Sequence, residues 1–278
     1  MPITPLSQAH LTLLDTCDRK YQYVFFDALS APATYDQQLT TQWGSQFHLL
    51  MQQQALNLPV AAIAGANQDM AASMAALAVV APEVFEASAT PWTEAKNSSD
   101  LEPFRQSEHR RTLAFNNYLL TVIYDQLVLT PKQGQIFDWK THQKPPKKDR
   151  LQKDWQTRLY LYVLCETTEL APEQLSMTYW FVRLSQGEQT QPSAYRFDYS
   201  AAQHQQTEQD LQALTSRLTR MSERLDFPKI PMGSEQCETC TFNVRCDRAS
   251  GRSPLFDSAQ MLREASGISL ESIKEIPL

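Results

Sequence analysis

The chain has 278 residues, of which 42% are hydrophobic and 20% charged, a composition typical of a globular protein with a sizeable core. Its formal net charge of −6 argues against a broad electrostatic attraction to nucleic acid, so a basic surface for such a partner must be local. The most apolar window, residues 60–85, is broken by polar residues and a proline, and no charged leader with an apolar core opens the sequence. We therefore expect no membrane association. Because the five cysteines occur without a secretory signal, we expect a reducing, cytoplasmic location.

Two helices are predicted near the start of the chain. Apolar residues recur at helical spacing within 6–29, and Cys17 falls near a break in that pattern. The second helix covers 40–57, where Gly44 and His48 are four residues apart and share one side. A glycine at that place lets a ligand or another backbone approach the histidine. On the residues alone, a structural cysteine and a packed histidine are the simpler interpretations.

The next stretch, about 58–103, is rich in alanine and punctuated by prolines, which predicts a helical insertion without chemistry of its own. Glu108 follows, at the start of a predicted strand. We interpret it as a solvated strand-end glutamate, with a supporting role behind a site as the alternative.

A β-hairpin is predicted for 119–140. Two apolar, β-branched runs, 119–129 and 136–140, flank the turn-forming residues 131–134. Asp125 lies inside the first run and Asp138 inside the second. A carboxylate in such a setting costs several kcal/mol, roughly, unless it is paired or binds a metal. The hairpin brings both acids together at the rim of a sheet.

Lys140 follows Asp138 by two residues, so strand periodicity places both side chains on the same face. Two acids and a lysine at one point suit Mg²⁺ or Mn²⁺ and an anionic substrate. The hairpin therefore has the outline of a metal-dependent phosphodiesterase site.

A basic run, 141–153, comes directly after this site. Most such runs are solvated loops, but this position is also where a phosphate backbone would enter. The candidate nucleic-acid-binding residues are Lys144, Lys147, Lys148 and Arg150.

The following helix places Gln156 and Tyr160 on one face, because they are four residues apart. Cys165 lies further along in an apolar setting, as an inert core thiol. A second hairpin is predicted for 175–184 and 193–199, turning at 185–188, and a long helix for 201–225. A short helix is predicted around 258–265.

Three cysteines form a C-x2-C-x5-C cluster, Cys237, Cys240 and Cys246, which indicates metal or cluster ligation in a reducing compartment. Three thiolates require a fourth ligand, no histidine lies nearby in the sequence, and Cys17 is available from the opposite end of the chain. The site is compatible with Zn²⁺ and with an iron–sulfur cluster, and the residues do not separate the two.

Taken in order, these elements resemble the PD-(D/E)XK nuclease superfamily, specifically its RecB-like branch. The resemblance rests on Gly44-x3-His48, Asp125, Asp138-Trp139-Lys140 and Gln156-x3-Tyr160, and spans roughly 6–248. The added cysteines are similar to the iron–sulfur subgroup, which includes CRISPR-associated adaptation exonucleases and helicase-associated nucleases.

The resemblance implies an α/β fold: a restriction-endonuclease-like core with a central mixed sheet flanked by helices, a helical insertion and a cysteine-cluster cap. It implies a nuclease domain over 1–248, followed by a tail over 249–278. A 4Fe–4S cluster held by Cys17, Cys237, Cys240 and Cys246 would tie the chain ends together. The family often has a glycine shortly before the first aspartate, where this chain has Val122-Ile123-Tyr124.

The resemblance also assigns roles at the site. His48, Asp125, Asp138 and the Trp139 carbonyl would hold Mg²⁺ or Mn²⁺. Lys140, Gln156 and Tyr160 would be the catalytic and positioning side chains.

We therefore expect a DNA nuclease, an exonuclease on single strands or duplex ends, with a helicase or CRISPR/repair partner. The alternative is a DNA- or partner-binding module of the same fold with little turnover, which need not retain the complete ligand set. A zinc-stapled structural protein is a third interpretation, but it leaves the buried acids unexplained.

Overall fold

A computed structural model describes residues 4–31, 33–60, 67–85, 103–141, 145–183 and 192–248. The chain divides into two units, one formed by Met1–Asp15 and Pro32–Asp226 and the other by Thr16–Ala31 and Phe227–Leu278. Within the described residues, no helix has both the length and the apolar character needed to cross a membrane.

The larger unit is built on one mixed sheet, since its strands carry the β-branched and aromatic residues that favour pleated structure. The strands are β1 (Thr4–Leu6), β2 (Phe104–Phe115), β3 (Tyr118–Leu129), β4 (Gly134–Lys140), β5 (Leu175–Phe181) and β6 (Ser193–Asp198). β3 lies at the centre: β2 and β4 pair with it antiparallel, and β1 pairs with its start in parallel. β4 continues in parallel to β5, and β5 pairs antiparallel with β6. The predicted mixed sheet flanked by helices is confirmed.

Helices flank this sheet, and their ends follow local capping chemistry. They are α1 (Gln8–Thr16), α3 (Tyr35–Ala55), α4 (Gln68–Val80), α5 (Lys148–Lys153), α6 (Trp155–Glu166) and α7 (Ala201–Arg224). Thr34 and Gln37 form a reciprocal capping box at the start of α3. Asp154 precedes α6, but its side chain makes no capping hydrogen bond.

The core beside α3 joins the helical insertion to the sheet. Trp43 and Phe47 of α3 pack with Met70 and Leu77 of α4 and with Phe137 of β4. Burial of such side chains contributes about 1.5–3 kcal/mol each. The insertion therefore contributes to the core of this unit. Its residues 61–66 and 86–102 lie outside the described residues.

α6 is buried along most of its length and contacts β2, β3, β5 and α7. α7 presents Leu211, Leu214 and Leu218 to the core at helical spacing. Leu225, which the apolar pattern includes in that stripe, is instead 77% exposed, because the helix ends there in a left-handed residue. The predicted turn at 185–188 and the helix at 258–265 lie outside the described residues.

The smaller unit contains α2 (Asp18–Tyr21), a π-helical turn (Gln22–Phe26) and α8 (Glu235–Glu238). Aromatic contacts join its two chain segments: Tyr21 stacks on Phe227, and Tyr23 packs against Phe242 with ring centroids 5.3 Å apart. The two segments come from opposite ends of the chain, so this unit closes a long loop.

Candidate active site

The two predicted acids lie where β3 and β4 stop pairing. The last paired residues are Gln126 and Phe137, and Asp125 and Asp138 are the next residues along their strands. Both are buried, at 9% and 2% exposure. The hairpin interpretation is confirmed, and it brings two carboxylates to the point where the strands separate.

Asp125 is held by its neighbours on two sides. Its Oδ2 accepts a hydrogen bond of 2.7 Å from the backbone N–H of Trp139, and its Oδ1 lies 3.3 Å from Nδ1 of His48. The other ring nitrogen of His48 lies 3.1 Å from the Trp139 carbonyl oxygen. The structure therefore brings together three of the four predicted metal ligands.

Glu108 completes this group. Its carboxylate, the His48 ring and the Asp125 carboxylate offer ligand atoms within 4.8 Å of one another. Glu108 has a φ of 50° inside β2, a left-handed conformation that is unfavourable for a side chain other than glycine. The antiparallel register pairs Ser107 with Gln126 and His109 with Tyr124, so Glu108 lies opposite Asp125.

The interpretation of Glu108 as a solvated strand end did not anticipate its position beside Asp125, and a ligand role for Glu108 is a prediction. The register of β2 against β3 is the signal that points to Glu108. A side chain opposite Asp125 on the neighbouring strand lies in the same environment as the Asp125 carboxylate. The left-handed backbone was not predictable from the residue type.

Crowded charges shift the pKa values of this group. Burial acts most strongly on His48 and alone would lower its pKa, but the hydrogen bond and charge of Asp125, with Asp138 and Glu108, raise it overall. Burial and the charge of Asp125 raise the pKa of Glu108. Such a site favours positive charge, as a cation-binding site must.

Asp138 faces a separate set of partners. Its Oδ2 lies 2.8 Å from Nζ of Lys140, and its Oδ1 accepts a hydrogen bond of 2.6 Å from the Gln156 amide. The amide oxygen of Gln156 in turn accepts a hydrogen bond of 2.7 Å from the Lys140 ammonium. Burial and the Asp125 carboxylate raise the pKa of Asp138 to about 7, against the opposing effect of Lys140. The predicted shared face of Asp138 and Lys140 is observed.

Tyr160 lies behind this set and is 5% exposed. Its carbonyl accepts a hydrogen bond from the Tyr124 hydroxyl, and burial raises the pKa of its phenol. Its position favours support of Gln156 over direct contact with a substrate.

A groove with a volume of about 650 Å³ opens beside the metal-ligand group. His48 and Glu108 line it, together with hydroxyl and amide side chains of α3. A Cβ on Gly44 would lie 3.1 Å from the Thr141 hydroxyl, so the glycine allows α3 to approach the end of β4 closely. This approach brings His48 to the strands.

The basic run is partly helical. Lys147 precedes α5, Lys148 and Arg150 lie within it, and all three are exposed. Lys148 lies over the Phe197 ring, 5.5 Å from its centroid. Lys144 lies outside the described residues.

In the smaller unit, Cys17, Cys237, Cys240 and Cys246 line one cavity. All four are half-buried, and Cys17 lies at the break between α1 and α2, as its position in the sequence predicts. The backbone N–H of Phe242 donates to the Cys240 sulfur at 3.4 Å.

Comparisons with known proteins were consistent with this geometry. The model of the PD-(D/E)XK nuclease superfamily matches residues 5–247. The crystal structure named "Putative exonuclease" from Eubacterium rectale is similar over 94% of this chain and 93% of its own, with 12% identity and a TM-score of 0.51. At this identity, the similarity shows the fold. The structure of SSO0001 is 11% identical, covers 90% of each chain and has a TM-score of 0.38. No curated protein matches this chain.

Proposed function

Because the chain belongs to the PD-(D/E)XK nuclease superfamily, we propose that it is a metal-dependent DNA exonuclease that hydrolyses phosphodiester bonds on single strands or duplex ends. The observation that carries this proposal is the convergence of His48, Glu108 and Asp125 beside the Asp138–Lys140 pair. A purely binding module has no need for buried acids and a half-buried lysine in this arrangement.

The donor set fits a hard divalent cation. Two carboxylates, one imidazole and the nearby Trp139 carbonyl supply the oxygen and nitrogen ligands that suit Mg²⁺ or Mn²⁺. The raised pKa values of His48 and Glu108 support the same assignment, because a cation offsets the crowded negative charge. Asp138 is the further predicted ligand, and it is engaged by Lys140 and Gln156. When bound, a divalent cation polarises a phosphoryl oxygen and lowers the pKa of a water.

Lys140 is the proposed catalytic cation of the protein itself. Asp138 and Gln156 hold its ammonium at 2.8 and 2.7 Å, and the Tyr179 ring lies beneath it at 4.8 Å. A lysine fixed in this way donates to the phosphate oxygen on which charge develops, or orients the attacking water. Gln156 joins the acid and the lysine, and Tyr160 supports Gln156.

The exposed cations Lys147, Lys148 and Arg150 supply the local basic surface that a DNA backbone needs, with Lys144 preceding them in sequence. They lie seven to ten residues after the end of β4 at Lys140, so they are close in sequence to the candidate active site. The proposal includes a RecB-like assignment, a helicase or CRISPR/repair partner, and a cytoplasmic location.

The cysteines are proposed to bind a 4Fe–4S cluster. Lys20, Lys229 and Arg248 line the cavity with them. The N–H···S bond to Cys240 is of the kind that tunes iron–sulfur centres. The same four thiolates would also suit a tetrahedral Zn²⁺ site, which is the alternative.

The test is a nuclease assay on DNA labelled at either end, single- or double-stranded, with Mg²⁺, Mn²⁺ or EDTA. We expect stepwise release of nucleotides with either metal and none with EDTA. Asp138→Ala should abolish cleavage, whereas Asp149→Ala, an exposed acid on α5, should not. DNA binding without cleavage in any metal would replace the nuclease with a binding module, and wild-type turnover by Asp138→Ala would refute the site.

A further inference from the structure

A second cluster of ligand-type side chains lies where α6 ends and α7 begins. Cys165 and Glu166 are the last residues of α6, and His204 is in the first turn of α7. The sulfur, a carboxylate oxygen and a ring nitrogen of these three side chains lie within 4.8 Å of one another. No step of the proposed nuclease reaction uses them.

The histidine ring is held in one orientation by its surroundings. Its Nε2 lies 3.1 Å from the Glu166 carboxylate, and its Nδ1 lies 3.2 Å from the Tyr199 hydroxyl. Tyr162 stacks on the ring with centroids 4.8 Å apart. Histidines that bind metals typically use one ring nitrogen and hydrogen-bond through the other, as this ring can do through Tyr199.

Cys165 contributes the donor that an ordinary ion pair does not need. Its thiol is half-buried and lies 3.7 Å from the Leu170 carbonyl. Glu166 and His204 can connect the two helices as an ion pair, and such a pair needs no thiol beside it. A sulfur, a nitrogen and an oxygen donor together form the mixed set that Zn²⁺ binds, with a fourth position for water.

We propose that Cys165, Glu166 and His204 form a Zn²⁺ site, distinct from the candidate active site and from the four-cysteine cavity. The ion would connect the end of α6 to the start of α7. Since α6 also carries Gln156, the site would stabilise the helix that positions Lys140. The expectation for Cys165 as an inert core thiol is replaced by a ligand role in this proposal.

The test follows the thiol itself, so other metal sites do not obscure it. Anaerobically purified holoprotein is titrated with Zn²⁺ and treated with iodoacetamide, and alkylation of Cys165 is measured by mass spectrometry of its peptide. We expect Zn²⁺ near one equivalent to slow alkylation about tenfold, because a coordinated thiolate is a poor nucleophile. The protection should be lost in His204→Gln and Glu166→Gln.

Glu169→Gln is the matched control, since this exposed acid lies close in sequence but outside the cluster. It should keep the protection. Unchanged alkylation of the wild type at excess Zn²⁺ would overturn the proposal. Protection that persists in both His204→Gln and Glu166→Gln would also overturn it, because a thiol alone would then explain the effect. Circular dichroism of each variant establishes that it is folded.

Discussion

Lys140 shows how one residue depends on its neighbours. Its side chain is 16% exposed. Its ammonium is held by the Asp138 carboxylate and the Gln156 amide oxygen. Lys140→Ala should lower the cleavage rate about 100-fold or more, because it removes a preorganised donor to the developing phosphate charge. Initial rates of nucleotide release measure this loss. Lys132→Ala, at an exposed turn, is the control, and an equal loss there would remove the case for a specific role.

Glu108 lies beside His48 and Asp125, a position that its place in the sequence did not predict. Glu108→Gln should weaken Mn²⁺ binding about tenfold or more, since it removes a charged ligand beside Asp125. Titration calorimetry on the folded variant measures the affinity directly. Glu83→Gln, an exposed acid, should bind Mn²⁺ as the wild type does. Wild-type affinity in Glu108→Gln would return this residue to the solvated strand end that its sequence position suggests.

At the scale of elements, the start of α5 offers a charged surface. Lys147 and Lys148 are exposed, so replacing both with alanine should weaken DNA binding and flatten its salt dependence. For single-stranded DNA, loss of two phosphate contacts should reduce the slope of log K against log salt by about 1.4. The control replaces Arg220 and Arg224, exposed cations of α7. Equal slopes in the wild type and the lysine variant would make this segment a solvated helix end.

The elements also show what a sequence can and cannot predict. The hairpin and the long helix α7 carry strong periodicity, so their predicted bounds differ from the observed ones by at most two residues, whereas α3 begins at Tyr35, five residues before its predicted start. β1 has only three residues and no pattern, and its pairing with β3 depends on tertiary structure. Leu225 has the spacing of the buried leucines of α7, but the helix ends at Arg224 and the Leu225 side chain is exposed. Asp125, Asp138 and Lys140 were predictable because charges inside apolar strands need partners, whereas the cluster around His204 joins residues that are distant in sequence.

For the whole molecule, metal binding at the candidate active site would be linked to stability. The pKa values of His48, Glu108 and Asp138 are raised in the folded state, so the folded protein binds more protons than the unfolded chain. The stability from such groups is present at low pH and is lost as pH rises through the folded pKa values, about 7 for Asp138. Between pH 6 and pH 8, the contribution of this site to the stability of the metal-free protein should therefore decrease. Added Mn²⁺ should increase the stability more at pH 8 than at pH 6.

Thermal unfolding in EDTA and in Mn²⁺ at the two pH values measures this effect. Asp138→Asn is the matched variant, because the amide cannot ionise and other titrating groups cancel in the comparison. In EDTA, we subtract the unfolding midpoint of Asp138→Asn from that of the wild type. This difference should be smaller at pH 8 than at pH 6. A difference that moves the other way would contradict the raised pKa of Asp138.

The four-cysteine cavity connects opposite ends of the chain, since Cys17 and Cys246 are more than two hundred positions apart. A link across so long a loop restricts the unfolded chain by about 5 kcal/mol in the loop-entropy model. Cys17→Ser should therefore lose iron and sulfide and unfold at lower temperature. Cys165→Ser should keep both iron and sulfide, because its thiol lies in the other unit. Anaerobically purified wild type should be brown, with broad absorption near roughly 400 nm. Colourless protein with stoichiometric zinc and no sulfide would make the cavity a structural zinc site, in which the same thiolates hold a smaller ion.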